Sequence, residues 1–249
     1  MEALPRRKHR EVIEELLELD GARVADIGCG DGALTRLMTR LGARVTGIDP
    51  SGGQLARARA AAPAGDEDYI EGVAENLPLP DASLDVAVFF NSLHHVPAAQ
   101  QAKAIAEAAR ALKPEGLLCV IEPLAEGPNF ETNRIIEDET GVRDMDYLTL
   151  QAAFAGPNFL SDHEFTYMTE IRYADFETFR DGMIAADERR RAVVTAHESE
   201  LRATFEANAE PRDGKFTLDQ PIRLNLMMRA GVGGDGLGGN VQDGKPRSS

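Results

Sequence analysis

At 249 residues and 43% apolar content, the chain is long enough for one large domain with a sizeable core and too apolar to be disordered overall or fibrous. Its 27 basic and 42 acidic residues leave a formal charge of −15, which disfavours general binding to nucleic acid or anionic membranes. The longest wholly apolar runs, Val86–Phe90 and Leu117–Ile121, fall far short of the roughly 20 residues that cross a bilayer. Arg10 and the glutamates that follow leave no apolar signal-peptide core, and Cys29 and Cys119 give no disulfide framework, so a cytoplasmic setting is expected.

In chain order, Pro5–Leu19 reads as a helix, with Val12, Ile13, Leu16, Leu17 and Leu19 largely on one face and glutamates on the other. Its basic cluster of Arg6, Arg7, Lys8 and Arg10 reads as a solvated face. Arg23–Ile27 is a short strand, followed by glycines and a helix over Ala33–Leu41. Arg44–Ile48 is a second strand, followed by an alanine- and arginine-rich helix through Ala62. Asp68–Glu71 is a weak third strand, and Leu84–Phe90 a fourth whose continuous apolar character suits a parallel sheet covered on both faces. Ala98–Leu112 reads as a helix, Lys113–Gly116 as a turn and Leu117–Ile121 as a fifth strand. Repeated alternation of strand and helix implies a doubly wound α/β fold.

After Pro123 the texture changes. Residues 124–161 read as irregular, Glu164–Arg172 as a strand, Asp175–Glu206 as helical and Ile222–Arg229 as a last strand. The glycine-rich tail 231–249 reads as flexible. Its segment Gly233–Gly238 is superficially like one calcium-binding nonapeptide repeat, and a single copy cannot stack.

The densest chemical signal is Val24–Gly32, an apolar strand ending in Asp26-Ile27-Gly28-Cys29-Gly30-Asp31-Gly32 and leading into a helix. Such glycines turn tightly and let a ligand approach the backbone. Asp49 closes the second strand 21 residues after Gly28, where a carboxylate can accept from both hydroxyls of a ribose. Gly28, Gly30 and Ala33 also fit the nicotinamide dinucleotide pattern G-x-G-x-x-A. Asp26 ahead of the first glycine, the third glycine Gly32 and the helix preceding the first strand tilt the reading away from it.

Six blocks occur in order: Asp26–Gly32, Gly47-Ile48-Asp49-Pro50-Ser51, Ala74–Pro78, Pro80–Asp85, Ser92-Leu93-His94-His95-Val96 and Leu112–Gly116. Together they closely resemble class I S-adenosylmethionine-dependent methyltransferases of the type 11 kind, in the broad group that includes quinone-biosynthesis methyltransferases. The resemblance covers residues 20–123. It implies a Rossmann-like, mostly parallel seven-stranded sheet with an antiparallel last strand, within one domain over 1–230 whose segment 124–180 covers the acceptor side. It implies that Asp26, Gly28, Cys29 and Gly30 lie at the methionine part of S-adenosylmethionine and Asp49 at its ribose. Pro50, Val73, Ala74 and Glu75 would lie by the adenine, and Asn91 at the methionine end. Val73 stands where many relatives carry an aspartate that reaches the adenine amino group.

The implied activity is methyl transfer to a small-molecule acceptor by in-line displacement, a reaction that needs alignment and water exclusion more than a fixed catalytic motif. His94 and His95 are the candidate general bases, and packing or capping suits both as well. Cys29 reads as a small packing residue and Cys119 as core. No metal is expected: Glu137, Asp138, Glu139, Asp144 and Asp146 read as a solvated acidic run. Aromatic residues concentrate between 130 and 179, Tyr147 and Phe154 among them, as a mini-core or as an acceptor pocket for an apolar, planar or cationic molecule. Two other readings stay open: an NAD(P)-dependent oxidoreductase, for which no Tyr-x-x-x-Lys is present, and a non-catalytic module that binds S-adenosylmethionine.

Overall fold

The computed structural model describes residues 4–231. The glycine-rich tail beyond Gly231 and its repeat-like segment lie outside the described residues. The chain runs α1 (His9–Leu16), β1 (Arg23–Ile27), α2 (Ala33–Arg40), β2 (Arg44–Asp49), α3 (Gly52–Ala60), β3 (Asp68–Glu71), β4 (Leu84–Phe90), α4 (Ala98–Ala111) and β5 (Leu112–Pro123). It continues with α5 (Gly127–Asn133), α6 (Thr140–Phe154), β6 (Phe159–Tyr173), α7 (Phe176–Ala186), α8 (Arg191–Ala196), α9 (Glu198–Asn208), β7 (Glu210–Arg212) and β8 (Lys215–Arg229). Short 3₁₀ turns lie at Leu93–His95 and Glu188–Arg190.

Seven strands line up in the order β3-β2-β1-β4-β5-β8-β6, and β7 pairs with β8 outside that path. The first five are parallel, and β8 runs antiparallel to both β5 and β6. Strand order reverses at β1, with β2 on one side and β4 on the other, so a crevice opens beyond the carboxyl ends of β1 and β4.

Side-chain alternation sorts the strands onto two cores. Ala25, Ile27, Ala87, Phe89, Leu118 and Val120 face α4 and α6. Val24, Val86, Val88, Cys119 and Ile121 face α1 and α2, where Val12, Ile13, Leu34 and Met38 cover them. A third cluster gathers Phe176, Phe179, Leu201, Phe205 and Leu218.

Several expectations need correction: Lys113–Gly116 is not a turn but part of β5, α1 takes up only His9–Leu16 of the expected Pro5–Leu19, and the strand expected over Glu164–Arg172 runs from Phe159 to Tyr173. Residues 124–161 are not irregular: α5 and α6 occupy most of them. The buried stripe of α6 is Asp146, Leu150 and Ala153, so a carboxylate interrupts the apolar period that would announce a helix. The helical stretch after Asp175 is broken into three helices, and the final strand starts at Lys215 rather than Ile222. Asp213-Gly214, both at positive φ (49° and 73°), form the tight turn of a β7–β8 hairpin.

Candidate active site

Gly28 follows β1 at φ +78°, and a Cβ there would lie 2.5 Å from the Ser92 Cβ, so only glycine allows the two loops to meet. The Gly28 and Cys29 N–H groups both donate to the Ile48 carbonyl, at 2.7 and 3.0 Å, and pin the loop to β2. Asp49 ends β2, and its carboxylate accepts from the Gly30 N–H at 2.9 Å and the Ser51 N–H at 2.8 Å. Two backbone donors thereby fix its orientation, and a carboxylate with about four lone-pair sites can accept further bonds. Asp26 is buried and accepts from the Thr35 hydroxyl at 2.6 Å. Burial raises its pKa to about 6, against the Thr35 hydrogen bonds and helped by the charge of Asp49. Burial and the neighbouring carboxylates push the Cys29 thiol up, so it is no thiolate nucleophile at neutral pH.

A hollow of about 850 Å³ lies over this loop, bordered by Gly28, Gly30, Asp49, Pro50, Val73, Ala74, Glu75 and Asn91. A second hollow of about 570 Å³ adjoins it and touches Asp26, Cys29 and again Gly30 and Asn91. All ten residues singled out for the cofactor thus border two contiguous spaces. Val73 is half-exposed in a tight turn, where its carbonyl accepts from the Asn76 N–H at 3.1 Å. The outer rim is closed by Gly182, Ala186, Arg189 and Arg190, so the wall extends past residue 180, where the cover was expected to end.

Asn91, at φ +50°, also borders a third cavity of about 220 Å³ lined by His9, His94, His95, Asn129 and Glu139. His94, on its wall, is backed by the buried Glu122. Glu122 is buried at the end of β5 and accepts from the Ser92 and Leu93 N–H groups at 3.0 and 2.8 Å, while its other oxygen bonds His94 Nδ1. Nε2 of His94 is the free nitrogen, 4.0 Å from Glu139 Oε1. Burial alone would lower the His94 pKa, but the charge and hydrogen bond of Glu122, with Glu139, outweigh it and hold it above the ordinary value. His95 is pushed down by burial and by His94.

The acidic run is not a solvated face throughout. Asp146 is fully buried against Arg223 at 3.0 Å, and burial plus the Glu122 charge raise its pKa to about 7. Glu139 pairs with Arg143, and Glu137 with Arg190 at 2.8 Å. His94, His95 and Glu139 bring ligand atoms within 4.8 Å of one another, as do His94, Glu122 and Asp146. In each set one carboxylate is already committed to an arginine.

The aromatic cluster does not line this cavity. Phe154 is 41% exposed, and Tyr147 lies under the Arg223 guanidinium, 3.9 Å away, with its hydroxyl donating to Glu164. Tyr173, Phe176 and Phe179 belong to the third core, as the mini-core reading has it. Sequence reasoning missed Glu122, although an acid closing an apolar strand is the same signal that marks Asp26 and Asp49. It also missed Asn129, for which no local pattern exists.

Residues 25–120 match the family described as a methyltransferase domain. Over 109 residues the chain is 40% identical to the ubiquinone biosynthesis O-methyltransferase of Nitrosococcus oceani, an alignment covering 43% of this chain and 45% of that protein. It is 37% identical over 131 residues to the 27-O-demethylrifamycin SV methyltransferase of Amycolatopsis mediterranei, covering 49% and 47% respectively. In fold it is similar to the YcgJ protein of Bacillus subtilis, with a TM-score of 0.63 and 21% identity over 89% of this chain and 97% of that one. The chain spans about half the length of these two curated relatives. Residues 25–120 are thus similar to a methyltransferase domain, set on a Rossmann-like sheet.

Proposed function

We propose that the chain methylates a small molecule held in the cavity beside His94, with S-adenosylmethionine in the hollow over the glycine loop. One observation carries the reading: ten residues singled out for the cofactor border contiguous space that meets the polar cavity at Asn91. Residues 1–230 act as a single domain, with 20–123 holding the cofactor and the later segment walling the acceptor side. Asp49 holds the ribose. Asp26, Gly28, Cys29 and Gly30 lie along the methionine part, and Pro50, Val73, Ala74 and Glu75 around the adenine. A cytoplasmic location suits the two buried, unpaired cysteines.

When bound, S-adenosylmethionine supplies a methyl group that leaves with the carbon–sulfur electron pair remaining on sulfur. The chain's own residues orient and deprotonate. Glu122 fixes His94 with its proton on Nδ1, which leaves Nε2 free to accept a proton from the acceptor. Arg143 and Arg190, each tied to a glutamate, close the wall and limit access of water. Titration calorimetry with S-adenosylhomocysteine and NAD⁺ tests the assignment. Binding of the first at micromolar levels, with none of the second, is expected; NAD⁺ binding without S-adenosylhomocysteine binding overturns it.

A further inference from the structure

We propose that the acceptor cavity selects a small amine that also carries an oxygen function, and that Asn129 is the residue that recognises its N–H group; this rests on the methyl-transfer reading above. The orientation of Asn129 is not arbitrary. Gln220 is buried, and its Nε2 donates to the Leu124 carbonyl at 3.0 Å and the Pro221 carbonyl at 2.8 Å. Its Oε1 must therefore be the atom that faces Asn129, and Asn129 must donate to it through Nδ2, at 3.0 Å. Asn129 Oδ1 is left as an acceptor with no partner, on a side chain only 6% exposed at the cavity wall. A buried acceptor without a donor costs about 1–3 kcal/mol, so its persistence points to a ligand that meets it.

One helical turn later on α5, Asn133 Oδ1 is also buried and unpartnered, and Asn133 lines the same cavity. His94 Nε2 adds a third acceptor once the imidazolium has lost its proton. The cations there are committed: Arg143 donates to the Leu124 carbonyl and Glu139, and Arg190 to Glu137. The buried, unpartnered side-chain atoms on the residues of this wall are thus two amide oxygens against one guanidinium N–H, a set that suits the several N–H groups of an ammonium. The buried charge of Glu122 behind His94 and the chain's net −15 favour a cation further. Arg143 Nε, a buried donor without a partner on a residue of the cavity wall, can be met by an oxygen on the same ligand. At about 220 Å³ the cavity falls below the usual size of drug-like sites, so it takes a small molecule or the reacting end of one.

The test is saturation-transfer NMR on the full chain, with ethanolamine as probe and ethylene glycol as its neutral counterpart, with and without S-adenosylhomocysteine. Ethanolamine should receive saturation well above ethylene glycol. Asn129→Leu should weaken its binding about tenfold, the worth of roughly one hydrogen bond of a charged donor. Asn133→Leu should weaken it too and serves as the second variant if Asn129→Leu does not fold. Equal transfer to the two probes, no transfer to ethanolamine, or binding unchanged in the folded variants overturns the proposal. S-adenosylhomocysteine affinity, titrated on the same samples, should be unchanged by both substitutions. A failure of that titration in the unsubstituted chain counts against the methyl-transfer reading and leaves the amine result to be judged separately.

Discussion

The hollow over the glycine loop and the cavity beside His94 meet at Asn91 but are built by different means. The first is shaped by backbone: glycines at positive φ, N–H groups donating to the Ile48 carbonyl, and one carboxylate held by two more N–H groups. The second is shaped by side chains from α1, α5, α6 and the 3₁₀ turn after β4, tied together by buried ion pairs and amides. A backbone-built site tolerates change in most side chains but hardly any in its glycines. A side-chain-built site can be re-specified one residue at a time, and its buried charges make each removal costly.

The largest effect should come from Glu122→Ala, which strips the carboxylate from His94 and leaves the Ser92 and Leu93 N–H groups without their acceptor. Breaking a buried charged pair costs about 3–5 kcal/mol, to be read from chemical denaturation. A loss under about 1 kcal/mol, the value of an ordinary hydrogen bond, would mean the pair is not structurally engaged.

Asp49→Asn acts on the other site and should be felt mainly in binding. Loss of charge-assisted acceptance should weaken S-adenosylhomocysteine by about 1.5–3 kcal/mol, roughly 10- to 150-fold by calorimetry. Stability should also fall, because Gly30 and Ser51 both rely on this carboxylate. Asp49→Ala, at first sight neutral for folding, should therefore cost about 1–3 kcal/mol as well.

This contrast explains what was legible in the sequence. Backbone-built sites leave local marks: Gly28, Gly30 and Asp49 stand at fixed spacings, and the bounds of β1, β3 and β4 match those read from the sequence. The acceptor cavity and the residues behind its wall join Glu122 to His94, Asn129 to Gln220 and Asp146 to Arg223, partners 28, 91 and 77 residues apart. No spacing rule links them. Asp146 misleads outright, since a buried carboxylate in the apolar stripe of α6 looks like a surface acid until Arg223 is placed against it.

The pH dependence should be smaller but of definite sign. The pKa of His94 is raised in the folded chain, so its contribution to stability is full below the ordinary value of 6.5 and is lost as pH rises through the raised value. Methyl transfer should show the opposite trend, rising with pH over the same window as Nε2 becomes free to accept a proton. Glu139, Arg143 and His95 also face this group, so the informative comparison is the slope lost in Glu122→Gln relative to the unsubstituted chain. An unchanged slope would assign the titration elsewhere.

The smallest effect is expected for Phe154→Ala. The ring is exposed and outside all the cavities around Asn91, so stability should shift by no more than about 0.5 kcal/mol and cofactor affinity not at all. A selective loss of turnover would return the aromatic segment to the acceptor site.

A crystal structure of the complex with S-adenosylhomocysteine tests the joining of the two sites most directly. The account predicts the ribose hydroxyls on the Asp49 carboxylate and the sulfur at the junction beside Asn91, facing the cavity of His94 and Asn129. A ligand whose sulfur lies away from Asn91, with the His94 cavity sealed from it, would contradict the account.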